Sequence, residues 1–159
     1  SKTFNLAGLI GSYHIIYNDR LRDRVNKESS LSHYNSMNVL SMHALIGAYR
    51  AEGEEWVGEL CETLTGNVDY AYRYITEHFE GVSVARPQGT YMLFLNCEEW
   101  LRSHDMTLDQ LLRAGWDVGV AWQDGRVHGG TTHIRLNVAL PFSRVKEAFD
   151  RMDKYVFNR

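Results

Sequence analysis

Lys2 is the first residue whose type and setting could do chemistry. It lies between two hydroxyl side chains, Ser1 and Thr3, and a small Ala7-Gly8 pair follows. A lysine amine can form a Schiff base with an aldehyde, and that chemistry needs the lysine on a tight loop beside a phosphate site. Spacing alone favours the simpler interpretation of a solvated lysine, so both interpretations stay open at this point.

Arg135 is the second candidate, because a strand-borne arginine can bind a carboxylate through two parallel hydrogen bonds. It lies in "HIRLNVAL" (His133–Leu140), where apolar residues alternate with a face that carries Arg135 and Asn137. A solvent-facing arginine with no ligand would give the same alternation.

Metal chemistry is not predicted. The seven histidines show no ligand spacing, and there is no HExxH motif or His/Cys cluster. The two cysteines, Cys61 and Cys97, form no CxxC motif, which is typical of buried thiols in a reducing compartment. We therefore expect no metal ion and a cytoplasmic location.

The bulk composition excludes several classes of partner. The chain has 159 residues, is 44% hydrophobic and 23% charged, and carries a net charge of −3. No basic run is present, so neither nucleic acid nor an anionic membrane is an expected partner. No stretch approaches the ~20 apolar residues of a membrane span.

The first third of the sequence predicts one strand and two helices. "GSYHIIY" (Gly11–Tyr17) predicts a buried strand, and Asn18 is the expected N-cap of a short charged helix. "MNVLSMHALIGAYRAEG", from Met37, predicts an apolar, well-buried helix. A single strand cannot form a sheet. We therefore expect residues 1–52 to be the remnant of a larger domain.

The remainder predicts a long helix and an α/β or α+β module with a small mixed sheet flanked by helices. Apolar residues from Val57 to Phe79 repeat at helical spacing, which predicts a linking helix over Glu54–Phe79, roughly 40 Å long, with a candidate kink at Gly66-Asn67. Thr107 and Gln110 predict a capping box, and the closing helix starts at about Arg144. The predicted strands are Val82–Pro87, Thr90–Asn96, Asp117–Trp122 and His133–Leu140. The expected domains are residues 1–52 and 53–159.

Three motifs in order resemble fold-type I pyridoxal-phosphate enzymes of the class I/II aminotransferase superfamily. "SKTFNLAGL" (Ser1–Leu9) resembles the cofactor-lysine motif, and "PQGTYMLFLN" (Pro87–Asn96) resembles a turn and strand of the small domain. "HIRLNVALP" (His133–Pro141) resembles the strand whose arginine binds the substrate. The resemblance implies a C-terminal fragment of the pyridoxal-phosphate-dependent transferase fold.

Further motifs narrow the resemblance to the MalY/PatB-type cystathionine β-lyases, which are carbon–sulfur lyases. Most aminotransferases of the superfamily carry a phosphate-binding arginine eight residues after the lysine, whereas Ile10 stands here. "SYHIIYNDRLRDR" and "AYRAEGEEWVGELCETLTGNVDY" also resemble the lyases. "AWQDGRVHGGTTHIRLN" departs from the usual lyase loop, in which an aromatic-glycine step is common, and leaves substrate choice open.

This resemblance implies roles for three residues. Lys2 would bind pyridoxal phosphate, with Ser1 beside it, and would act as the general base, while Arg135 would bind the substrate α-carboxylate. The implied reaction eliminates a thiol from cystathionine or cysteine and yields pyruvate and ammonia. The longer protein is expected to be a homodimer, and this stretch alone is expected to be inactive.

Two alternatives remain open from sequence. The first is an aminotransferase, which uses the same lysine up to the removal of the α-proton. The second is a non-catalytic regulatory or binding module, for which the apolar helix over residues 37–49 predicts an exposed apolar surface and self-association.

Overall fold

The computed structural model describes residues 2–31 and 36–158, which fall into two compact units, residues 1–59 and 60–159. The boundary between the units lies inside a helix. The division into residues 1–52 and 53–159 expected from the sequence stays a prediction.

The first unit is helical throughout its regular parts. It contains a short 3-10 turn (Ala7–Leu9), α1 (Asp19–Leu31), α2 (Val39–Ala48) and the start of α3 (Ala51–His78). The predicted cap at Asn18 is confirmed, because its side-chain oxygen accepts a hydrogen bond from the Leu21 amide at 2.9 Å. Asn38 caps α2 in the same way through the Ser41 amide. These side chains satisfy amides that the first helical turn leaves without a partner.

Two expectations for the first unit are wrong. Residues 11–17 form no strand, and Tyr13, Ile15 and Tyr17 are exposed. A strand needs a hydrogen-bonded neighbour, and none of the described residues of this unit forms one. The second error is the buried helix: among the described residues of the unit only Ser41 is buried, and most of the large apolar side chains of α2 are exposed.

The second unit is built on a four-stranded sheet. Its strands are β1 (Ser83–Val84), β2 (Met92–Asn96), β3 (Gln123–Asp124) and β4 (His133–Asn137), in the order β1-β2-β4-β3. Every neighbouring pair is antiparallel, so the expected mixed sheet is wrong in this respect. A parallel pair would need a crossover that returns the chain to the same end of the sheet, and no two adjacent strands are joined in that way.

The predicted strand over Asp117–Trp122 is also wrong. Asp117 is the last residue of α5 (Leu108–Asp117), and residues 118–122 are irregular. Val120 and Trp122 are buried in the core, which accounts for the apolar pattern. The two-residue strand β3 follows directly.

The remaining elements agree more closely with the sequence. They are α4 (Glu98–Ser103), a 3-10 turn (Gly125–His128), α6 (Phe142–Met152) and a closing π-helical turn (Asp153–Phe157). The capping box is confirmed: the Gln110 amide donates to Thr107 Oγ1 at 3.3 Å, and the Thr107 amide donates to Gln110 Oε1 at 2.7 Å.

Helix α3 is continuous and passes through Gly66-Asn67 without a break. Asn67 is buried, and its Nδ2 donates to the carbonyls of Val138 and Leu140, each at 2.8 Å. This helix therefore holds the chain just beyond β4 by hydrogen bonds as well as by packing.

One face of the sheet forms the core. Leu93, Leu95, Ile134 and Leu136 are buried beneath α3, α5 and α6 in a single apolar cluster. The alternation predicted for β4 is confirmed as far as Val138, whereas Leu140 is 48% exposed. The opposite face of β4 carries polar side chains, among them Arg135.

Candidate functional site

Lys2 is exposed at the start of a tight turn. The Asn5 amide donates to the Lys2 carbonyl at 3.4 Å, and Asn5 has a positive φ of 52°, a conformation that asparagine tolerates better than most residues. The 3-10 turn at Ala7–Leu9 follows immediately. The tight loop expected around Lys2 is therefore present, while Ser1 lies outside the described residues.

Contacts at both ends fix this lysine loop, residues 2–9. The Phe4 ring lies edge-on to Tyr49, with centroids 5.3 Å apart, and nearly parallel to Trp56 at 6.5 Å. At the other end the Leu9 carbonyl accepts a hydrogen bond from the hydroxyl of the buried Ser41. The residues that contact the loop lie in α2 (Ser41), directly after α2 (Tyr49) and in the first turns of α3 (Trp56).

A cleft of about 200 Å³ lies between the lysine loop and α2. Its lining combines apolar groups with hydroxyls, and the Tyr13 and Tyr49 hydroxyls are 3.2 Å apart. This hydrogen bond raises the pKa of Tyr49. The residues that line the cleft include Thr3, Phe4, Leu9, Tyr13, Ser41 and Tyr49. Such a cleft can hold the edge of a small ring and offer it hydroxyl partners.

Ile10 follows the loop with a φ of 44° and is 83% exposed. The resemblance places a phosphate-binding arginine at this position in most aminotransferases. An isoleucine offers a phosphate no charge and no hydrogen-bond donor from its side chain, so a phosphate at this loop needs other ligands.

Arg135 lies in the middle of β4, opposite Phe94 of β2 and Gln123 of β3, on the face away from the core. Its Nη1 donates to His128 Nε2 at 2.7 Å. Its Nε is buried and has no hydrogen-bond partner among the described residues. A buried donor without a partner is rare in folded proteins and often marks a site that a ligand completes. The donor of the same guanidinium that a carboxylate can reach is Nη2, which has no partner among the described residues and is not closed off from solvent.

Three aromatic rings contact one another beside Arg135: His128, which accepts its hydrogen bond, its cross-strand neighbour Phe94, and His133. Phe94 stacks on His133, with centroids 4.6 Å apart, and lies edge-on to His128 at 6.5 Å. We call Arg135, Phe94, His128 and His133 the arginine shelf. The sequence placed His133 on the same face as Arg135, but it gave no sign of Phe94 or His128.

The arginine shelf depends on close packing of residues 125–130, which we call the glycine loop, against β4. A Cβ at Gly125 would lie 2.3 Å from the His133 carbonyl oxygen, and one at Gly130 would lie 2.6 Å from the Phe94 ring. Only glycine allows this approach. Arg126 also binds Asp124 at 2.7 Å and Asp109 at 2.5 Å, which raises the pKa of Arg126 and lowers that of Asp124.

The two candidate residues lie in different units, Lys2 in the first and Arg135 in the second. Among the helices in the described parts of the chain, none has the length and apolar character needed to cross a membrane.

No protein-family profile matches the chain. Individual curated proteins do match it. Cystathionine β-lyase PatB of Bacillus subtilis is 27% identical over 156 residues, which cover 96% of this chain and 39% of that protein. Protein MalY of Escherichia coli is 29% identical over 150 residues, which cover 92% of this chain and 37% of that protein. The chain spans about two fifths of the length of the curated relatives it matches.

Solved structures agree with these relatives. The pyridoxal-phosphate-bound C–S lyase of Staphylococcus hominis is 25% identical with a TM-score of 0.82, and the match covers 99% of this chain and 40% of that one. An aspartate aminotransferase mutant of Thermus thermophilus, 16% identical with a TM-score of 0.65, covers 86% of this chain and 36% of that one, and shares the fold alone. The resemblance to the MalY/PatB-type lyases and the fold class expected from sequence are confirmed.

Proposed function

We propose that this chain is part of a pyridoxal-phosphate-dependent carbon–sulfur β-lyase that acts on a sulfur-containing amino acid such as cystathionine or cysteine. The observation that carries the proposal is the similarity, over nearly the whole chain, to proteins named as lyases of this kind. The lysine loop and the arginine shelf both lie within the matched length.

The residues present fit the cofactor. The Lys2 amine is exposed on a fixed loop, and the adjacent cleft can hold the edge of a ring. Bound pyridoxal phosphate would supply an aldehyde for an amine and a ring that withdraws electrons from the substrate. Lys2 would hold it, and the expectation that Ser1 takes part stays a prediction.

Lys2 and Arg135 have different roles toward the substrate. Arg135 binds the α-carboxylate and thereby fixes the direction of the Cα–H bond. Lys2 Nζ, in its neutral form, takes the proton from Cα as the general base. The bond between Cβ and sulfur then breaks, and the thiol leaves with a proton. For cysteine the balance is cysteine plus water giving hydrogen sulfide, pyruvate and ammonia.

The aminotransferase alternative shares the role of Lys2 and differs in product. Release of pyruvate and thiol by the whole enzyme without an oxo-acid acceptor supports the lyase, whereas dependence on an oxo acid supports the aminotransferase. Assembly as a homodimer and a cytoplasmic location are further parts of this proposal, and a regulatory role without catalysis is the competing proposal.

Covalent labelling tests the role of Lys2. The chain is mixed with pyridoxal phosphate, reduced with borohydride and digested, and the modified peptide is identified by mass spectrometry. We expect one dominant label on Lys2, because its amine stands on a fixed loop next to a cleft.

Lys27→Arg is the matched control, since Lys27 is an exposed lysine of α1 in the same unit. We expect Lys2→Arg to abolish the dominant label and Lys27→Arg to leave it in place. Labels spread evenly over the lysines in the unmodified chain would count against the proposed role of Lys2.

A further inference from the structure

The hydrogen bond between Arg135 and His128 is compatible with only one tautomer of the histidine. A guanidinium can only donate hydrogen bonds, so Arg135 Nη1 is the donor in the 2.7 Å contact and His128 Nε2 is the acceptor. This contact therefore requires the His128 tautomer that carries its proton on Nδ1. The sequence gave no role to this histidine, which ends the 3-10 turn of the glycine loop.

The same contact decides which edge of the guanidinium a ligand can use. Nη1 is engaged by His128, so Nε and Nη2 form the remaining pair of donors on the other side. Nε is shielded from water and bonds to none of the described residues. Nη2 also bonds to none of the described residues but is not closed off in this way, so it is the donor that a carboxylate can reach.

We propose that His128 is a positioning residue for carboxylate binding: by accepting from Nη1, it holds the Arg135 guanidinium so that Nη2 remains as the donor for the substrate carboxylate. This proposal rests on the proposed function, in which Arg135 binds the α-carboxylate, and it adds a residue that sets the angle of that bond. The glycine loop carries His128 to the guanidinium and is itself fixed by the Arg126 ion pairs.

The groups that face His128 support its role as an acceptor. Arg135 on β4 is the cation in contact with it, and Phe94 on β2 lies against its ring edge. The nearest cation on its own turn, Arg126, is engaged by Asp124 and Asp109. The His133 ring stacks on Phe94 and not on His128.

Nuclear magnetic resonance of the histidine rings tests the tautomer. Long-range proton–nitrogen spectra of the chain near neutral pH separate protonated from unprotonated ring nitrogens. We expect His128 to carry its proton on Nδ1. A His128 ring protonated on Nε2 would overturn the proposal, because that nitrogen could not accept from Arg135.

Carboxylate titration tests the consequence. Propionate is added to the chain, and the Arg135 Nε–H signal, assigned with Arg135→Lys, reports binding without any cofactor. We expect His128→Leu to weaken propionate binding about fivefold, the effect of losing one ordinary hydrogen bond. We expect His128→Gln, which keeps an acceptor oxygen, to restore most of the affinity, and His43→Leu, on exposed α2, to leave it unchanged.

The outcomes separate this proposal from the proposed function. Unchanged binding in His128→Leu, failure of His128→Gln to rescue, or no response of Arg135 in the unmodified chain would each overturn the role of His128. Failure of the Lys2 label together with a clear dependence on His128 would instead overturn the lyase proposal and leave the carboxylate site standing.

Discussion

Cys97 and Cys61 differ in burial, which controls how reactive a thiol is. Cys97 is fully buried in the core after β2, and burial raises the pKa of its thiol to about 12. The thiol therefore stays protonated at neutral pH, and the reactive thiolate is almost absent. Cys61 lies exposed on α3, so the sequence expectation of two buried thiols is correct for Cys97 and wrong for Cys61.

Alkylation should separate the two thiols. With iodoacetamide near neutral pH we expect Cys61 to be modified quickly and Cys97 to remain unmodified until the chain is unfolded in denaturant. Peptide mass spectrometry before and after denaturation gives the readout. Equal modification of both cysteines in the folded chain would contradict the burial of Cys97.

Candidate site residues could be proposed from the sequence where a motif carries them, but the neighbours that tertiary packing brings to them could not. Lys2 and Arg135 follow from short sequence patterns. His128 reaches Arg135 only because Gly125 and Gly130 let a loop lie against β4. Residue spacing along the sequence does not predict this contact, because the contact depends on which strand the loop packs against.

At the scale of elements, the cap of α5 is the clearest local stabilising feature. We expect Thr107→Ala to lower the free energy of unfolding by about 1 kcal/mol, because the side chain satisfies an amide in the first turn. Chemical denaturation followed by circular dichroism measures the change.

Thr65→Ala is the matched control for this substitution. Thr65 is an exposed threonine inside α3, and its hydroxyl bonds back to the Cys61 carbonyl. In an α-helix that carbonyl already accepts the backbone amide of Thr65, so the hydroxyl satisfies no group that the helix leaves unpaired, and we expect a change within about 0.5 kcal/mol. A loss as large as that of Thr107→Ala would show that the capping box has no special role.

Helices were predicted better than strands for a physical reason. The capping box, the cap at Asn18 and the periodicity of α3 are local, so their signals lie within a few residues. Strands depend on partners far along the chain. Residues 11–17 and 117–122 both have strand-like composition, yet neither forms a strand here, and the apolar residues Val120 and Trp122 are buried by other means.

At the scale of the whole molecule, burial is distributed unevenly. Every buried apolar side chain among the described residues lies beyond Leu60, in the second unit. The first unit exposes apolar residues of α2, including Leu40 at 71% and Ile46 at 54%. Apolar burial is the main source of folding stability, so the first unit is expected to be the weaker one.

Hydrogen exchange should show this difference directly. We expect amides of α1 and α2 to exchange much faster than those of β2, β4 and α5, as read from peptide masses over time. Measurements at two protein concentrations control for self-association through the exposed apolar surface. Equal protection of both units at the lower concentration would show that the first unit has a stability of its own.

The pairing of β2 with β4 also sets an order of events in folding. The lysine loop depends on contacts with residues up to Trp56, and it can form as soon as the first helices meet. The arginine shelf requires Asn96 to find His133 across the whole segment that forms α4, α5 and the glycine loop. Closing so long a loop is slow. The arginine shelf should therefore be the last of these features to form after synthesis, and a short peptide of β4 alone should not reproduce the carboxylate binding proposed for Arg135.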